Sequence, residues 1–188
     1  MTHNADTVTD AVVLKPTGTV QIANRFSLVE RKLLNTLMYY AQQRRFAPQE
    51  HSLPVAEVFY HIGLESSRNH DVLKAAIRKL TGTVVEWNIF GDDRTQEWGV
   101  CTFLASGKLA RGKIRFRINP EIIDQITHPR LFAKIQLLVQ AQFKRRHALV
   151  LYEFLVDCIS RQKASRLVIK DVTLAKLHQL MGLEDSKY

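Results

Sequence analysis

The sequence predicts an α+β fold: a winged helix-turn-helix, duplicated in tandem, with the second copy incomplete. Three observations predict it. Between Val55 and Thr81 come a short helix, a glycine stop and a second helix with a basic outer stripe. Past Leu80 the side-chain period drops from helical to two, as strands require. The same order of elements recurs when Gly63 is laid over Gly182, an offset of 119 residues.

Composition sets the class. The chain has 188 residues, enough for one domain or two small ones, and its 46% hydrophobic content is that of an ordinary folded protein. A net charge of +9 points to a polyanionic partner, nucleic acid before an acidic membrane surface. No apolar run is long enough to span a bilayer, and the N-terminus lacks the basic start and apolar core of a secretory signal. The expected location is the cytoplasm. Cys101 and Cys158 could pair, but two buried free thiols suit that compartment better.

Residues 1–19 are polar with little periodicity and read as a mobile tail. Val20-Gln-Ile-Ala23 offers a short edge strand. Ser27 caps a helix over Leu28–Gln43, and Glu30 completes the capping box. Leu33, Leu34, Leu37, Met38 and Ala41 give that helix a buried face, while Arg44 and Arg45 complement its C-terminal dipole. His51 to Val55 is an extended link. The first motif helix is Val55–Ile62, which Gly63 stops in a left-handed conformation. Leu64 to Ser67 forms the turn, and Ser66 or Ser67 caps the next helix, Asn69–Leu80. Val72, Leu73, Ala76, Ile77 and Leu80 make its apolar face; His70, Lys74 and Arg78 line the opposite one.

Thr83–Phe90 reads as a strand, Gly91–Arg94 as a turn, and Glu97–Leu104 as the return strand. Ser106–Gly112 reads as a second loop. In the third strand, Lys113–Asn119, Ile114, Phe116 and Ile118 face one side and Lys113, Arg115 and Arg117 the other. Pro120 opens a short helix that His128-Pro-Arg130 breaks. Leu131 to Val139 is either a last strand or a linking segment. Arg145 or Arg146 opens another helix, with Ala148, Leu151, Tyr152, Leu155 and Ile159 as its apolar face.

At the offset of the two glycines, Ile62–Glu65 lies over Met181–Glu184, the helix 28–43 over 147–162, and the extended link over 166–172. The expected domains are therefore a first winged helix over 20–142 and the start of a second over 143–188, stopping before its recognition helix.

Four stretches carry a resemblance: Val20–Asn24, Ser27–Asn35, Leu73–Leu80 and Ala148-Leu-Val-Leu-Tyr-Glu-Phe-Leu155. They resemble the replication initiator proteins of iteron-containing bacterial plasmids, the Ala-Leu-x-Leu-Tyr-Glu helix most specifically. Leu180-Met-Gly-Leu183 followed by Tyr188 is similar to the approach to that family's second recognition helix. The resemblance covers roughly residues 20–188. It implies two winged-helix domains that bind repeated origin sequences in double-stranded DNA. It implies a monomer that initiates replication and a homodimer that represses or couples origins, with the first domain supplying the interface, and host replication proteins as further partners. The chain departs from the family in lacking the second recognition helix, which carries much of the family's base contact.

Catalytic chemistry is not indicated. A rolling-circle nuclease needs two histidines flanking one apolar residue to hold a metal, plus a nucleophilic tyrosine, and no two of the seven histidines are spaced i, i+2. Gly107-Lys108 lacks the rest of a phosphate-binding loop, and two distant cysteines do not make a zinc finger. The expectation is no enzyme, no cofactor and no metal. His61 and His178 read as caps or partly buried polar groups, and Trp87, Trp98 and Phe116 as core.

The expected DNA contacts are Arg68 and Asn69 nearest the base edges and His70, Lys74 and Arg78 on phosphates. Arg94, Lys108 and Arg111 lie on loops beside them. Lys144, Arg145 and Arg146 read either as phosphate contacts or as a solvated helix start; the dipole disfavours positive charge at a helix N-terminus, which favours the phosphate reading. Dimer contacts are expected at Trp87, Ile89 and Phe103, through strands Thr83–Phe90, Glu97–Leu104 or Lys113–Asn119. The alternatives are a winged-helix transcriptional repressor, or a dimerisation module without sequence-specific DNA binding.

Overall fold

Helix α1 (Leu28–Gln43) is the element the others pack around. The computed structural model describes residues 11–16, 26–47, 49–90, 96–127, 132–161 and 172–183. The capping box forms as expected: Ser27 N–H donates to Glu30 Oε2 at 2.8 Å, and Ser27 Oγ accepts from Glu30 N–H at 3.4 Å. Leu33, Leu34, Leu37, Met38 and Ala41 are buried. So are Arg31, Lys32, Asn35 and Thr36, which leaves the helix enclosed on its polar side as well.

Strand β1 (Val12–Pro16) pairs antiparallel with the later strand β7 (Phe132–Gln136), Val13 opposite Ile135. This corrects the reading of the first residues as tail over 11–16. Ala11 and Val13 are buried, and the Gln42 amide of α1 both accepts from and donates to the Leu14 backbone. The apolar run Ala11-Val12-Val13-Leu14 is the signal, set at the end of a polar stretch. Residues 1–10 and the strand expected at Val20–Ala23 lie outside the described residues.

A second sheet has the order β2-β6-β5, with β2 (His51–Pro54), β5 (Leu104–Ala110) and β6 (Lys113–Ile118) all antiparallel. The expected link before Val55 is thus a strand. The expected loop Ser106–Gly112 is corrected too: it is strand β5 up to Ala110. Only Arg111-Gly112 turns, with φ of 51° and 68°, the paired positive angles of a two-residue hairpin. Gly107 suggested a loop but serves close packing. A Cβ there would sit 2.4 Å from Ile77 Cγ2 on the motif's second helix. Strands β3 (Val84–Phe90) and β4 (Gln96–Thr102) make a separate two-stranded ribbon, and the turn carrying Arg94 lies outside the described residues.

The motif helices are α2 (Val55–Ile62) and α3 (His70–Gly82). Gly63 adopts φ 72° and ends α2, as expected. The α3 cap is Asn69, whose Oδ1 accepts from Asp71 N–H at 3.0 Å; this corrects the expected serine cap. Ser67 Oγ instead accepts from Asn69 N–H at 3.2 Å. Asparagine is as good an N-cap as serine, so composition alone did not choose between them. Leu73, Ala76, Ile77 and Leu80 are buried, and Val72 is half-buried.

Helix α4 (Pro120–Thr127) follows β6. The segment Leu131–Val139 is both a strand and a link: β7, then helix α5 (Leu137–Gln142). Helices α6 (Arg146–Arg161) and α7 (Leu174–Met181) repeat α1 and α2 in length, 16 and 8 residues. Gly182, φ 65°, repeats the stop of Gly63, and in both copies the following leucine N–H returns to the carbonyl five residues back.

The apolar face expected on α6 is not its buried one. Ala148, Leu151 and Ile159 are exposed, Tyr152 and Leu155 half-buried, and the buried side carries Leu149, Val150, Glu153 and Asp157. Glu153 accounts for the rotation. Its Oε2 accepts from Lys15 Nζ at 2.9 Å and from Arg31 Nε at 2.8 Å, and its Oε1 from Asn35 Nδ2 at 2.6 Å. Nearby, Lys32 Nζ donates to the carbonyls of Ile62, Ala141 and Phe143 at 2.9, 2.8 and 2.9 Å, closing the C-terminal ends of α2 and α5. Gln140 Nε2 donates to the carbonyls of Lys32 and His61, and its Oε1 accepts from Asn35. Gly63 lies directly over α5; a Cβ there would meet Ala141 O at 2.2 Å. One buried polar cluster therefore joins α1, β1, the end of α2, α5 and α6.

Burial pulls the Lys15 ammonium down to about 8, although Glu153 opposes the shift. Burial, helped by the Lys144 charge, does the same to Lys32, also to about 8. For Glu153, burial pushes the carboxyl up, but Lys15, Arg31 and the Asn35 amide outweigh it and hold it below the usual carboxylate range.

Candidate nucleic-acid interface

Helix α3 packs its apolar side on the core, so its polar side is turned out. Arg68, Asn69, His70, Lys74 and Arg78 are all exposed, running from the N-terminus of α3 along its outer side, as expected. Lys79 is exposed beside them; the stripe read at four-residue spacing missed it. The Asn69 oxygen is committed to the cap, which leaves its Nδ2 to donate elsewhere. Lys74 Nζ lies 2.8 Å from Asp71 Oδ1, and that hydrogen bond holds the Asp71 carboxyl down. Both groups stand in water, so the pair is worth little and leaves Lys74 available to a phosphate. The His70 ring centre sits 5.9 Å from that of Phe59.

Strand β5 runs close beside α3 because Gly107 admits it. Between them lies an open groove of about 290 Å³, lined by Lys74, Ile77, Arg78, Thr81, Gly107 and Leu109. Lys108 and Arg111 are exposed, Lys108 on β5 and Arg111 at the hairpin tip. Both belong to the wing, though only Arg111 lies on a turn.

Lys144, Arg145 and Arg146 stand at the start of α6, on a different element from α3. Lys144 and Arg145 are exposed. Arg146 has a structural partner: its Nη2 donates to Met181 O at 2.6 Å, at the end of α7. The cations Lys113, Arg115 and Arg117 were read as the outward side of a strand and not as a site. Strict alternation implied that these three share a face; the pairing of β5 with β6 adds Lys108, which the expected loop had hidden.

The dimer expectations fare unevenly. Phe103 is buried in the chain's own core, its ring 6.1 Å from that of Phe26, and so is no surface contact. The residue ends one apolar run and meets the start of another, and strand alternation did not show which sheet claims it. Strand β6 is paired on both edges, so Lys113–Asn119 offers no edge to a second chain. The side chains of Trp87 and Ile89 lie outside the described residues. Trp98, expected in the core, is 62% exposed, with Val100 two residues along the same face of β4 and the exposed Val84 farther along β3.

His61 is buried among the rings of Tyr39, Tyr40 and Tyr60, with no partner at Nδ1, and burial lowers its pKa, keeping the ring neutral. Among the described residues no group of three His, Cys, Asp or Glu could hold a metal ion, and no helix is long and apolar enough to cross a membrane. Cys101 and Cys158 are not paired in a disulfide, and each is half-buried.

Comparison with known proteins follows the same lines. A family model described as initiator replication protein, WH1, matches residues 12–156. The crystal structure of Pi initiator protein in complex with iteron DNA matches with a TM-score of 0.68 at 10% identity, covering 92% of this chain and 73% of that one. The WH1 domain of a replication protein isolated from a multiple sclerosis patient matches with a TM-score of 0.49 at 12% identity, covering 69% of this chain and 96% of that one. At 10% identity the likeness to the Pi structure is one of fold. No curated protein sequence matches.

Proposed function

This chain belongs to the initiator replication protein family that carries the WH1 winged helix, and we propose that it binds the repeated sequences (iterons) of a plasmid origin in double-stranded DNA to start replication. The observation that carries the reading is the set of exposed cations Arg68, just before α3, and Lys74 and Arg78 on it, beside the wing strand β5. Arg68 and the free Nδ2 of Asn69 stand nearest the base edges. Lys74 and Arg78 neutralise phosphates, and Arg111 at the hairpin tip takes the flanking backbone. Lys144 and Arg145 extend the basic surface. The protein acts by binding, without a metal, a cofactor or a covalent step, in the cytoplasm.

In this reading residues 20–142 are mainly the first domain, with β1 added to it, and 143–188 begin the second. Two copies of the first domain form the repressing dimer through the β3–β4 ribbon, where the exposed Trp98, Val100 and Val84 share a face with the positions of Glu86 and Asn88, and a symmetric contact would cover the apolar three. Trp98→Glu should turn a sedimenting dimer into a monomer; a wild-type monomer at micromolar concentration defeats this part.

The function is tested by binding the whole chain to a library of duplexes, half of them with direct repeats, across a salt series. Enrichment of repeats, with log K falling linearly in log salt, supports it. Absence of duplex binding at low salt overturns it.

A further inference from the structure

The wing sheet has two faces, and only one belongs to the helix-turn-helix. Ile114, Phe116 and Ile118 of β6 point into the core. Gly107 and Leu109 of β5 stand opposite Phe116 and Ile114, share their face, and meet α3 there. Lys113, Arg115 and Arg117 therefore point the other way, away from α3. Lys108 stands directly opposite Arg115 and joins them. Lys108, Lys113 and Arg117 are exposed and Arg115 half-exposed.

Four cations on one face of a two-stranded hairpin are a local conflict. Like charges directly opposite across a ladder destabilise it, and Lys108 faces Arg115 in register. Relief comes from Glu50, whose carboxylate reaches Arg115 only at 3.9 Å, with both side chains near half exposure. Their spacing is regular, since alternate residues of one strand recur about every 6.7 Å. The same face adds Ser52 and Pro54 of β2 and Ser106 and Ala110 of β5, and no aromatic ring. A face without rings offers bases nothing to stack on, which argues against single strands. Spaced cations on an uncluttered surface suit a phosphate backbone.

We propose that this outer wing face is a second binding surface for the phosphate backbone of a DNA duplex, separate from the surface of α3. The proposal rests on the reading of the chain as a duplex-binding protein. It assigns Lys108 to the outer face together with Lys113, Arg115 and Arg117, and leaves α3 with Arg68, Lys74 and Arg78. One protein then holds backbone on both sides of its wing, either of two segments or of one that bends around the β5 edge.

The test uses the whole chain, a short labelled duplex of unrelated sequence and a salt series. Two variants are compared alone and together: K108Q/K113Q/R117Q on the outer face and K74A/R78A on α3. Thermal melting checks the fold, and relief of the Lys108–Arg115 repulsion should raise the outer variant's melting temperature at low salt. The outer variant should lower the slope of log K against log salt by about 0.9 for each phosphate it no longer neutralises. It should do so in the wild-type and the K74A/R78A backgrounds alike. An unchanged slope in both backgrounds, while K74A/R78A loses affinity, overturns the proposal and leaves the α3 reading intact. Loss of polyglutamate binding with unchanged duplex binding assigns the face to an acidic protein segment and also overturns it. Failure of the wild-type chain to bind any duplex overturns both readings.

Discussion

The cations of α1 and those of α3 look alike in the sequence and behave oppositely in the fold. Arg31 and Lys32 of α1, with Lys15 of β1, are buried among carboxylate, amide and carbonyl partners. Lys74 and Arg78 of α3 stand in water, and the carboxylate that Lys74 meets is itself exposed. A buried charge is tolerable only when paired and hydrogen-bonded, so the first set is committed to holding elements together. An exposed charge is nearly free to exchange its water for a phosphate. Basic residues thus stand in two opposite environments here, and only burial separates them.

The contrast can be broken at its strongest point. Glu153→Ala would leave Lys15 and Arg31 buried without their counter-charge, and should cost about 3–5 kcal/mol of unfolding free energy in urea. A loss below about 1 kcal/mol would mean that water reaches the cluster. Lys32→Met comes next. It removes three donors from three carbonyls at the ends of α2 and α5, and should cost about 2–3 kcal/mol. Hydrogen exchange should rise first at the α2–α5 junction; uniform exchange would argue against a local role.

A smaller effect sharpens the same point through pH. Glu153 is held low, so its stabilising contribution is present above its unfolded value near 4.5 and is lost as pH falls through the lower folded one. Lys15 runs the other way: between about 8 and 10.5 the unfolded chain binds more protons, so this group's contribution to stability rises with pH there. Urea titrations of wild type and Lys15→Met over that window should diverge, the variant rising less steeply because Lys32 alone of the two lysines still adds to the rise there. Parallel curves would mean that Lys15 is not desolvated.

Much of the fold was legible because its signals are local. The Ser27–Glu30 box, Gly63 and the alternation of β6 each act within a few residues, and each stands where the pattern put it. What was missed depends on distance. Lys15 and Glu153 are 138 residues apart, so nothing near either residue announces a buried pair. The same pair fixes the buried side of α6, which is why Ala148, Leu151 and Ile159 of its apolar stripe are exposed. Glu153 lies within the Ala-Leu-x-Leu-Tyr-Glu stretch that carried the family resemblance, yet its partners were invisible. Gly107 was misread because close approach to Ile77 and a loop call for the same residue. On α3 the expected cations are exposed where the period placed them. Phe103 and Trp98 were exchanged, since alternation alone does not say which face of a two-stranded ribbon meets the core.

The exposed cations of α3 carry the proposed function most directly, and Lys74→Ala/Arg78→Ala isolates them. Being surface changes, they should leave the unfolding free energy within about 0.5 kcal/mol of wild type. Duplex binding measured across a salt series should nonetheless weaken on every sequence, with the slope lower by about one for each phosphate left without its cation, roughly two in all. Wild-type affinity and slope in that variant, with its stability unchanged, would contradict the assignment of α3 to DNA.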